Sequence, residues 1–275
     1  MPNLRLGWTL SPRQQLWAAW SESKRLPSFY EQSLSIPPVL IPNGAPPPFP
    51  GLFFTFLPNP DLTGEALRAS ELGYRLQVSS AWSLDLAAYR MDYENLAIFA
   101  PGAPVFDPAL GGLRLDITPR NLGVARNQGI ETKLRYAPAG GFRASLAYAY
   151  ADNNLDVPAS TLAVSTTLGQ RDPWAKHSAS LQLGYSPGDA FAVDALFHYR
   201  SDIPVVRDVA TLREEAIDAS LRLDLRFSWR PRADFEVALT GMDLGDGERV
   251  RFLGEPIIAP VGVGPRWQIE LRHDF

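Results

Sequence analysis

The chain has 275 residues, with 26 basic against 30 acidic side chains and a formal net charge of −4, a balance that gives no reason to expect a nucleic-acid partner. It contains no cysteine, so neither disulfide nor thiol chemistry is available to it. No apolar run is long enough for a transmembrane helix, and hydropathy alone would class the chain as soluble, a reading blind to strands that cross a membrane.

In chain order, Asn3-Leu4-Arg5 opens directly into a predicted strand with no signal segment ahead of it. An exported protein would need one, so the expectation is that either the chain is not exported or its true N-terminus is missing. Ser11-Pro12-Arg13 reads as a tight turn, and residues 22–64 as a long loop. Leu72, Tyr74, Leu76 and Val78 then alternate with polar residues before the tight turn Ser79-Ser80-Ala81. The segment from Trp82 to Tyr93 slips phase around Ala87 and Ala88, as at a bulge. A long loop follows over 100–116, in which Leu113-Arg114-Leu115-Asp116-Ile117 has the makings of a separate strand. After the turn Pro138-Ala139-Gly140-Gly141, Phe142, Ala144, Leu146, Tyr148 and Tyr150 line one face of the next strand. Long loops are expected over 153–173, 202–214 and 244–264, and tight turns at Pro187-Gly188-Asp189 and Pro231-Arg232-Ala233. Between them, Ala179, Leu181, Leu183, Tyr185 and then Phe191, Val193, Ala195, Phe197, Tyr199 repeat the pattern.

The alternation is complete from Ile217 to Arg230, apolar at odd positions and polar or charged at even ones. The last ten residues behave likewise: Trp267, Ile269, Leu271 and Phe275 on one face, Gln268, Glu270, Arg272 and Asp274 on the other. A soluble strand averages about five or six residues, whereas a tilted membrane-crossing strand needs about nine to eleven. A face bearing both signs of charge belongs against water and not in a dry core. A soluble sandwich also alternates, but it does not require tight turns at one rim and long loops at the other. That regularity is the mark of a transmembrane antiparallel β-barrel. The fold class is therefore all-β, with about eleven strands. An odd number beginning at the outer rim is half a wall, the other half lying upstream or in a second copy.

Chemistry on this wall is sparse. The three histidines are His177, His198 and His273. His177-Ser178 invites comparison with an outer-membrane phospholipase, but no third partner to orient the base is in view, and no metal-ligand spacing of the Cys/His kind occurs. The expectation is no enzyme, no cofactor and no metal. Trp8, Trp82, Trp174, Trp229 and Trp267 fall near strand ends, as interface aromatics do. Ligand recognition is expected in the loops, with Tyr30, Phe53, Phe54, Arg200, Arg207 and Arg213 as candidates. The Pro-rich stretch from Ser33 to Pro60 reads as a disordered extracellular loop before an aromatic lid. The arginines suit an anionic ligand, or lipopolysaccharide phosphate.

Several segments resemble, in order, the second half of the barrel of TonB-dependent outer-membrane receptors. The run Leu16 to Ser28 ends a strand in Ser and then Arg-Leu-Pro-Ser. Asn59-Pro60-Asp61-Leu62-Thr63-Gly64-Glu65 precedes Glu71-Leu72-Gly73-Tyr74-Arg75. Asn121-Leu122-Gly123 precedes Gly129-Ile130-Glu131, and Gly241-Met242-Asp243-Leu244-Gly245-Asp246 has Asp243 where Asn is usual. The resemblance covers nearly all of residues 1–275 and implies one partial domain, the second half of a 22-stranded barrel whose plug and first half are absent. It implies an outer-membrane receptor for active uptake of a scarce chelate, ferric siderophore first, with cobalamin, haem and glycans open, energised through TonB by the missing part. The barrel assembly machinery, outer-membrane lipid and lipopolysaccharide are the implied partners, and Phe275 resembles the family's C-terminal assembly signal. Glu65, Glu71 and Glu131 share the lumen face with Arg75, Lys133 and Arg135, set to form cross-strand salt-bridged ladders and, in an intact member, to seat the plug. Gly73 and Gly129 are expected at bulges or against the plug. The alternatives are a small passive pore, an autotransporter-type translocator or a non-functional fragment.

Overall fold

The computed structural model describes residues 2–42, 51–161, 174–207, 214–245, 249–252 and 261–274. In chain order its elements are β1 (Asn3–Ser11), β2 (Gln14–Arg25), α1 (Phe29–Ser33), β3 (Ile36–Pro42), β4 (Gly51–Phe56), β5 (Glu65–Gln77), β6 (Trp82–Pro101), β7 (Val105–Asp107) and β8 (Gly112–Tyr136). Then come β9 (Phe142–Asp156), a 3-10 turn at Ala159–Thr161, β10 (His177–Tyr185), β11 (Phe191–Arg200), β12 (Ile203–Arg207), β13 (Glu214–Ile217), β14 (Ser220–Arg232), β15 (Phe235–Met242), β16 (Arg249–Phe252), β17 (Val261–Val263) and β18 (Arg266–His273). Eleven of these form one antiparallel wall in the order β1-β2-β5-β6-β8-β9-β10-β11-β14-β15-β18. Among the described residues the sheet does not close, since β1 pairs only with β2 and β18 only with β15.

Register turns the sequence alternation into two continuous faces. Leu76, Leu84, Leu134, Leu146, Leu181, Phe197 and Leu223 stand opposite one another from strand to strand, a single apolar row across seven strands. The corresponding inner row is Arg75, Asp85, Lys133, Ala147, Ser180, His198 and Arg222. A side-chain period of two makes this partition all or none, because a slip of one residue would put the charges on the apolar face.

Aromatic residues bracket the apolar face. Near the tight turns Trp82 stacks on Tyr136 at 4.2 Å, Tyr136 lies 6.0 Å from Phe142, and Phe191 lies 6.2 Å from Phe227. Towards the other rim stand Trp20, Tyr148, Tyr150, Tyr199 and Trp267. Phe142 and Tyr150 are separated by about 26 Å along the strand at ~3.3 Å per residue, which a barrel's tilt brings near the height of an apolar membrane band. Among the described residues no helix is long and apolar enough to cross a membrane, which says nothing about crossing by strands.

The tight rim is stitched from turn to turn. The N–H groups of Gln77, Ala137, Ser186, Arg230 and Asp274 donate to the carbonyls of Arg13, Ala81, Gly141, Ala190 and Asp234, each on the neighbouring hairpin. Gly140 and Gly141 take φ of 98° and 84°, a backbone only glycine adopts without strain. The last hairpin turns at Ala233-Asp234, slightly later than expected, with Pro231 and Arg232 still in β14.

Four expectations are corrected. The register of β6 runs unbroken through Ala87 and Ala88. The apparent slip is Tyr89 turned inward, and the irregularity lies at Asn95, whose φ is 58°. Residues 113–117 are not a separate strand but the top of β8, 25 residues long, which shortens the loop expected over 100–116. Ile217 belongs to the β12–β13 hairpin, where it faces Ile203, and the wall strand begins at Ser220. Gly73 and Gly129 are not at bulges: a Cβ on Gly73 would enter the Trp17 indole, and one on Gly129 would strike the Tyr150 carbonyl and the Tyr89 ring.

Nor is the loop before β5 structureless. β3 and β4 form a hairpin, β4 adds in parallel to the top of β8, and β7 flanks β8 beyond. Phe54, Leu115 and the fully enclosed Ile117 pack there with Leu52, Phe56 and Phe99. This is a small apolar cap above the wall. The stretch 43–50, including Pro46-Pro47-Pro48, lies outside the described residues.

Candidate functional site

The family-like motifs at the loop rim converge on one polar junction. Arg25, closing β2, donates to Glu65 at the start of β5 at 2.6 and 2.7 Å and to Glu31 in α1 at 3.0 and 3.2 Å. Ser28 caps α1: its Oγ accepts from Glu31 N–H at 3.3 Å, while Glu31 accepts from Ser28 N–H at 2.7 Å. This is the reciprocal arrangement that satisfies open donors at a helix start. Glu65 also accepts from the Ala97 N–H at 2.9 Å. Partial burial pushes the Glu31 carboxyl up, but the Arg25 and Ser28 hydrogen bonds outweigh it and hold the group down at about 2. The Arg25 hydrogen bond likewise holds Glu65 below the ordinary carboxylate range, against its burial.

A second junction sits beside it. Asn59 Oδ1 accepts from Asp61 N–H at 3.0 Å, the expected turn chemistry, and its Nδ2 reaches the Pro119 carbonyl at 2.9 Å. Asn121 accepts from Thr63 N–H at 2.9 Å and donates to the carbonyls of Thr63 at 3.1 Å and Asn95 at 2.6 Å. One side chain thus ties the segment leading into β5, the β6 bulge and β8 together. Asp243 adopts φ 56°, the left-handed region that Asn and Asp tolerate best, which explains why an Asn-type residue suits this position.

All six predicted lumen residues share the inner face, but the ladders expected among them do not form. Glu71 stands opposite Ala19 and Tyr89, and Glu131 opposite Ala87 and Ala149, so register denies each a cation directly across. Arg75 pairs instead with Asp85 at 3.1 Å. Lys133 faces that same Asp85, and Arg135 faces Ser83 and Ser145. The inner wall is cross-braced elsewhere: Arg143 to Asp194 at 2.6 Å, and Arg226 to both Glu236 and Glu270 at 3.1 Å. Sequence reasoning passed over these pairs because each depends on registers between strands distant in sequence. Between Trp17 and His198, bordered by Arg75, Glu131 and Lys133, the inner face holds a groove of about 330 Å³.

The ligand candidates separate. Phe54 is in the cap core and Phe53 packs against Gly112, so both rings are committed to packing and not to an open lid. Tyr30 is exposed on α1. Arg200 ends β11 on the inner face, next to the His198–Arg222 pair across β14. Among the described residues the enclosed Nε of Arg200 has no hydrogen-bond partner, whereas Arg222 Nε forms an ion pair with Asp224 Oδ2 at 3.3 Å. Two cationic side chains therefore lie on the inner face near the loop rim. Sequence reasoning found Arg200 and missed Arg222. Arg207 ends β12; its side chain, Arg213 and Phe275 lie outside the described residues. His177 and Ser178 point to opposite faces, with His177 outward on the Tyr148 hydroxyl at 2.8 Å and Ser178 inward, so they do not form a catalytic pair.

A family model described as TonB dependent receptor-like, β-barrel, matches residues 1–244. The chain belongs to the TonB-dependent receptor β-barrel family. Among solved structures it is similar to the siderophore receptor PirA from Acinetobacter baumannii, with a TM-score of 0.69 at 15% identity over 100% of this chain and 41% of that one. It is also similar to a mutant of the ferric enterobactin receptor PfeA from Pseudomonas aeruginosa in complex with enterobactin, with a TM-score of 0.71, 16% identity and 100% and 40% coverage. For the copper transporter OprC the values are 0.66, 16%, 99% and 39%. The chain thus spans about two-fifths of the length of these receptors. No curated protein matches it. The family is one of outer-membrane transport receptors, not enzymes, and the eleven-strand wall is a fragment of its barrel.

Proposed function

We propose that this TonB-dependent receptor barrel serves the active uptake of a scarce anionic chelate, a ferric siderophore first, with TonB supplying the energy in the complete receptor. The observation that carries this reading is the placement of Arg200 and Arg222, two guanidinium side chains on the inner face at the loop ends of β11 and β14. Guanidinium forks match carboxylates and catecholates, and inside a recessed lumen such contacts are screened less than on an open surface. The siderophore receptors among its structural relatives support the ligand class. The inner groove with Glu131 and Lys133 is the proposed seat of the plug, and Phe275 the proposed signal to the assembly machinery.

The test is a binding titration on the membrane-embedded receptor with a ferric catecholate, a ferric hydroxamate and cobalamin. The expected result is ferric catecholate binding that weakens at least tenfold in Arg200→Gln/Arg222→Gln. Preferred binding of cobalamin, or ferric-chelate affinity indifferent to both substitutions, would overturn the proposal.

A further inference from the structure

The inner face carries a second cavity, nearer the tight-turn rim than the groove between Trp17 and His198. It has a volume of about 780 Å³ and is bordered by the turn after β1 and the tight ends of β5, β6 and β8. Four cations line it, Arg13, Arg75, Lys133 and Arg135, against the single carboxylate of Asp85. Register is the cause of the imbalance. Lys133 stands opposite Asp85 and Ala147, and Arg135 opposite Ser83 and Ser145. Asp85 is held by Arg75 at 3.1 Å, and no ion pair among the described residues involves Lys133 or Arg135. On β9 and β14, by contrast, inner cations meet carboxylates: Arg143 meets Asp194 at 2.6 Å, and Arg230 meets Glu236 at 2.7 Å. The cluster is also linked to the loop-side arginines. Asp85, Lys133, Ala147, Ser180, His198 and Arg222 form one row across the wall. Lys133 lies near the tight end of β8 and Arg222 near the loop end of β14. The stagger of tilted strands thus carries a single inner row from one rim to the other.

We propose that Arg13, Arg75, Lys133 and Arg135 form an exit-side binding site for the anionic chelate, a second station at the opposite end of the lumen from Arg200 and Arg222. This rests on the anionic-ligand reading and extends it to the periplasmic end of the passage. A cleft lined by one sign of charge between low-dielectric walls raises the local concentration of the opposite ion. Guanidinium forks donate to carboxylate, catecholate or phosphate oxygens in parallel pairs, and the Ser83 hydroxyl stands across from Arg135 as a further donor. The site holds its anion weakly. Arg75 is 61% exposed, and exposed ionic contacts are worth little one at a time. Weak holding suits an exit, since passage needs sites favourable enough to enter and shallow enough to leave. Between Lys133 and Arg222 the shared row holds Ala147, Ser180 and His198 and no carboxylate.

The experiment uses the membrane-embedded receptor in nanodiscs of phosphatidylcholine. A fluorophore is attached at Ser145→Cys, across the strand pair from Arg135, in a chain that has no cysteine of its own. Its quenching by iron is followed as a ferric catecholate is added. The expected result is saturable quenching whose midpoint rises about tenfold in Arg75→Gln/Arg135→Gln. Arg226→Gln, which removes one inner-face charge from the cross-braced sector, should leave the midpoint within about twofold of the parent. Absence of saturable quenching in the parent, as acidic side chains of the plug seated on the cluster would produce, overturns the proposal. So does a midpoint indifferent to Arg75→Gln/Arg135→Gln. Displacement of the chelate by inorganic phosphate at equal concentration also overturns it, since that marks a site for any free oxyanion. The two readings fail separately. Chelate affinity unchanged in Arg200→Gln/Arg222→Gln sinks the functional reading, while quenching that still depends on Arg75 and Arg135 leaves the exit-side site standing.

Discussion

The rim junction makes a quantitative prediction through Glu31→Gln. Glutamine keeps an oxygen for the Ser28 cap but loses the charge that holds Arg25. The carboxyl's fall from an ordinary 4.5 to about 2 corresponds to an upper bound of about 3 kcal/mol at ~1.36 kcal/mol per pH unit. Arg25 is about half exposed, so solvent screening reduces that to roughly 1–2 kcal/mol. The energy acts locally, because Arg25 is what ties α1 to the wall. The amides that report it are Gln32, Leu34 and Asn59, which donate to the carbonyls of Ser28, Tyr30 and Glu31. In native-state hydrogen exchange on the membrane-embedded protein at pH 7, the variant should exchange at these amides about tenfold faster, while amides in β10 and β11 stay unchanged. The sign with pH follows from a depressed acid: its contribution is complete above pH 4.5 and is lost as pH falls from there through about 2. The ratio of variant to parent exchange should therefore shrink towards one over that window. Equal exchange at pH 7, or a ratio that persists at pH 2, would refute the assignment of the junction to the Arg25–Glu31 charge pair.

Three other outcomes are expected. Gly73→Val drives a side chain into Trp17 and should cost about 1–3 kcal/mol, read as a lower temperature of the heat-modifiable gel shift; Gly188→Ala, with open space around it, should leave that shift in place. Ile117→Ala empties the centre of the cap and should cost about 2–5 kcal/mol, seen as protease cleavage confined to the cap with the wall strands intact. This 275-residue chain refolded alone in bilayers should not give a protease-resistant monomer, because lipid cannot satisfy the open edges of β1 and β18; a heat-modifiable monomer would count against the open wall.

What was legible in the sequence was what has a period of two. The eleven wall strands, the alternation of tight turns with long loops and the inner placement of Glu65, Glu71, Arg75, Glu131, Lys133 and Arg135 all follow from alternation and turn chemistry. Ion-pair partners were not legible. Placing a charge on a face needs only its own strand, whereas naming its partner needs the stagger between strands, as Arg75 with Asp85 shows. The slip assigned to Ala87 and Ala88 failed for a related reason. Tyr89 interrupts the apolar alternation because it points inward over Gly129, filling space that glycine leaves open. Phe54 could not be told from a ligand contact, since an aromatic in a loop looks the same whether it meets a chelate or a parallel strand. Parallel addition of β4 to β8 has no local signal at all. Arg200 was visible as a charge near a loop; Arg222 was hidden inside the clean alternation that identified the strand.

The distribution of burial explains why the loop rim, and not the wall, holds the protein-like core. Among the described residues the enclosed apolar side chains are Phe54, Leu62, Ile98, Ala100, Leu115 and Ile117 in or beside the cap, with only Ala69 and Ala238 in the wall. Leucines of the outward rows remain open, Leu86 and Leu146 among them. For a soluble protein that exposure would be a large uncompensated patch; in a membrane the lipid completes the packing, and the wall is held by its ladder of backbone bonds. The cap stands above the lipid and must bury its own apolar surface. It does so with the motif-bearing segments, so Arg25, Asn59, Glu65 and Asn121 sit where a lipid-stabilised wall hands over to a water-stabilised cap. Polar side chains that must reach backbone carbonyls and one another at that seam tolerate few substitutes, since a lost partner there leaves a partly buried donor or acceptor unmatched.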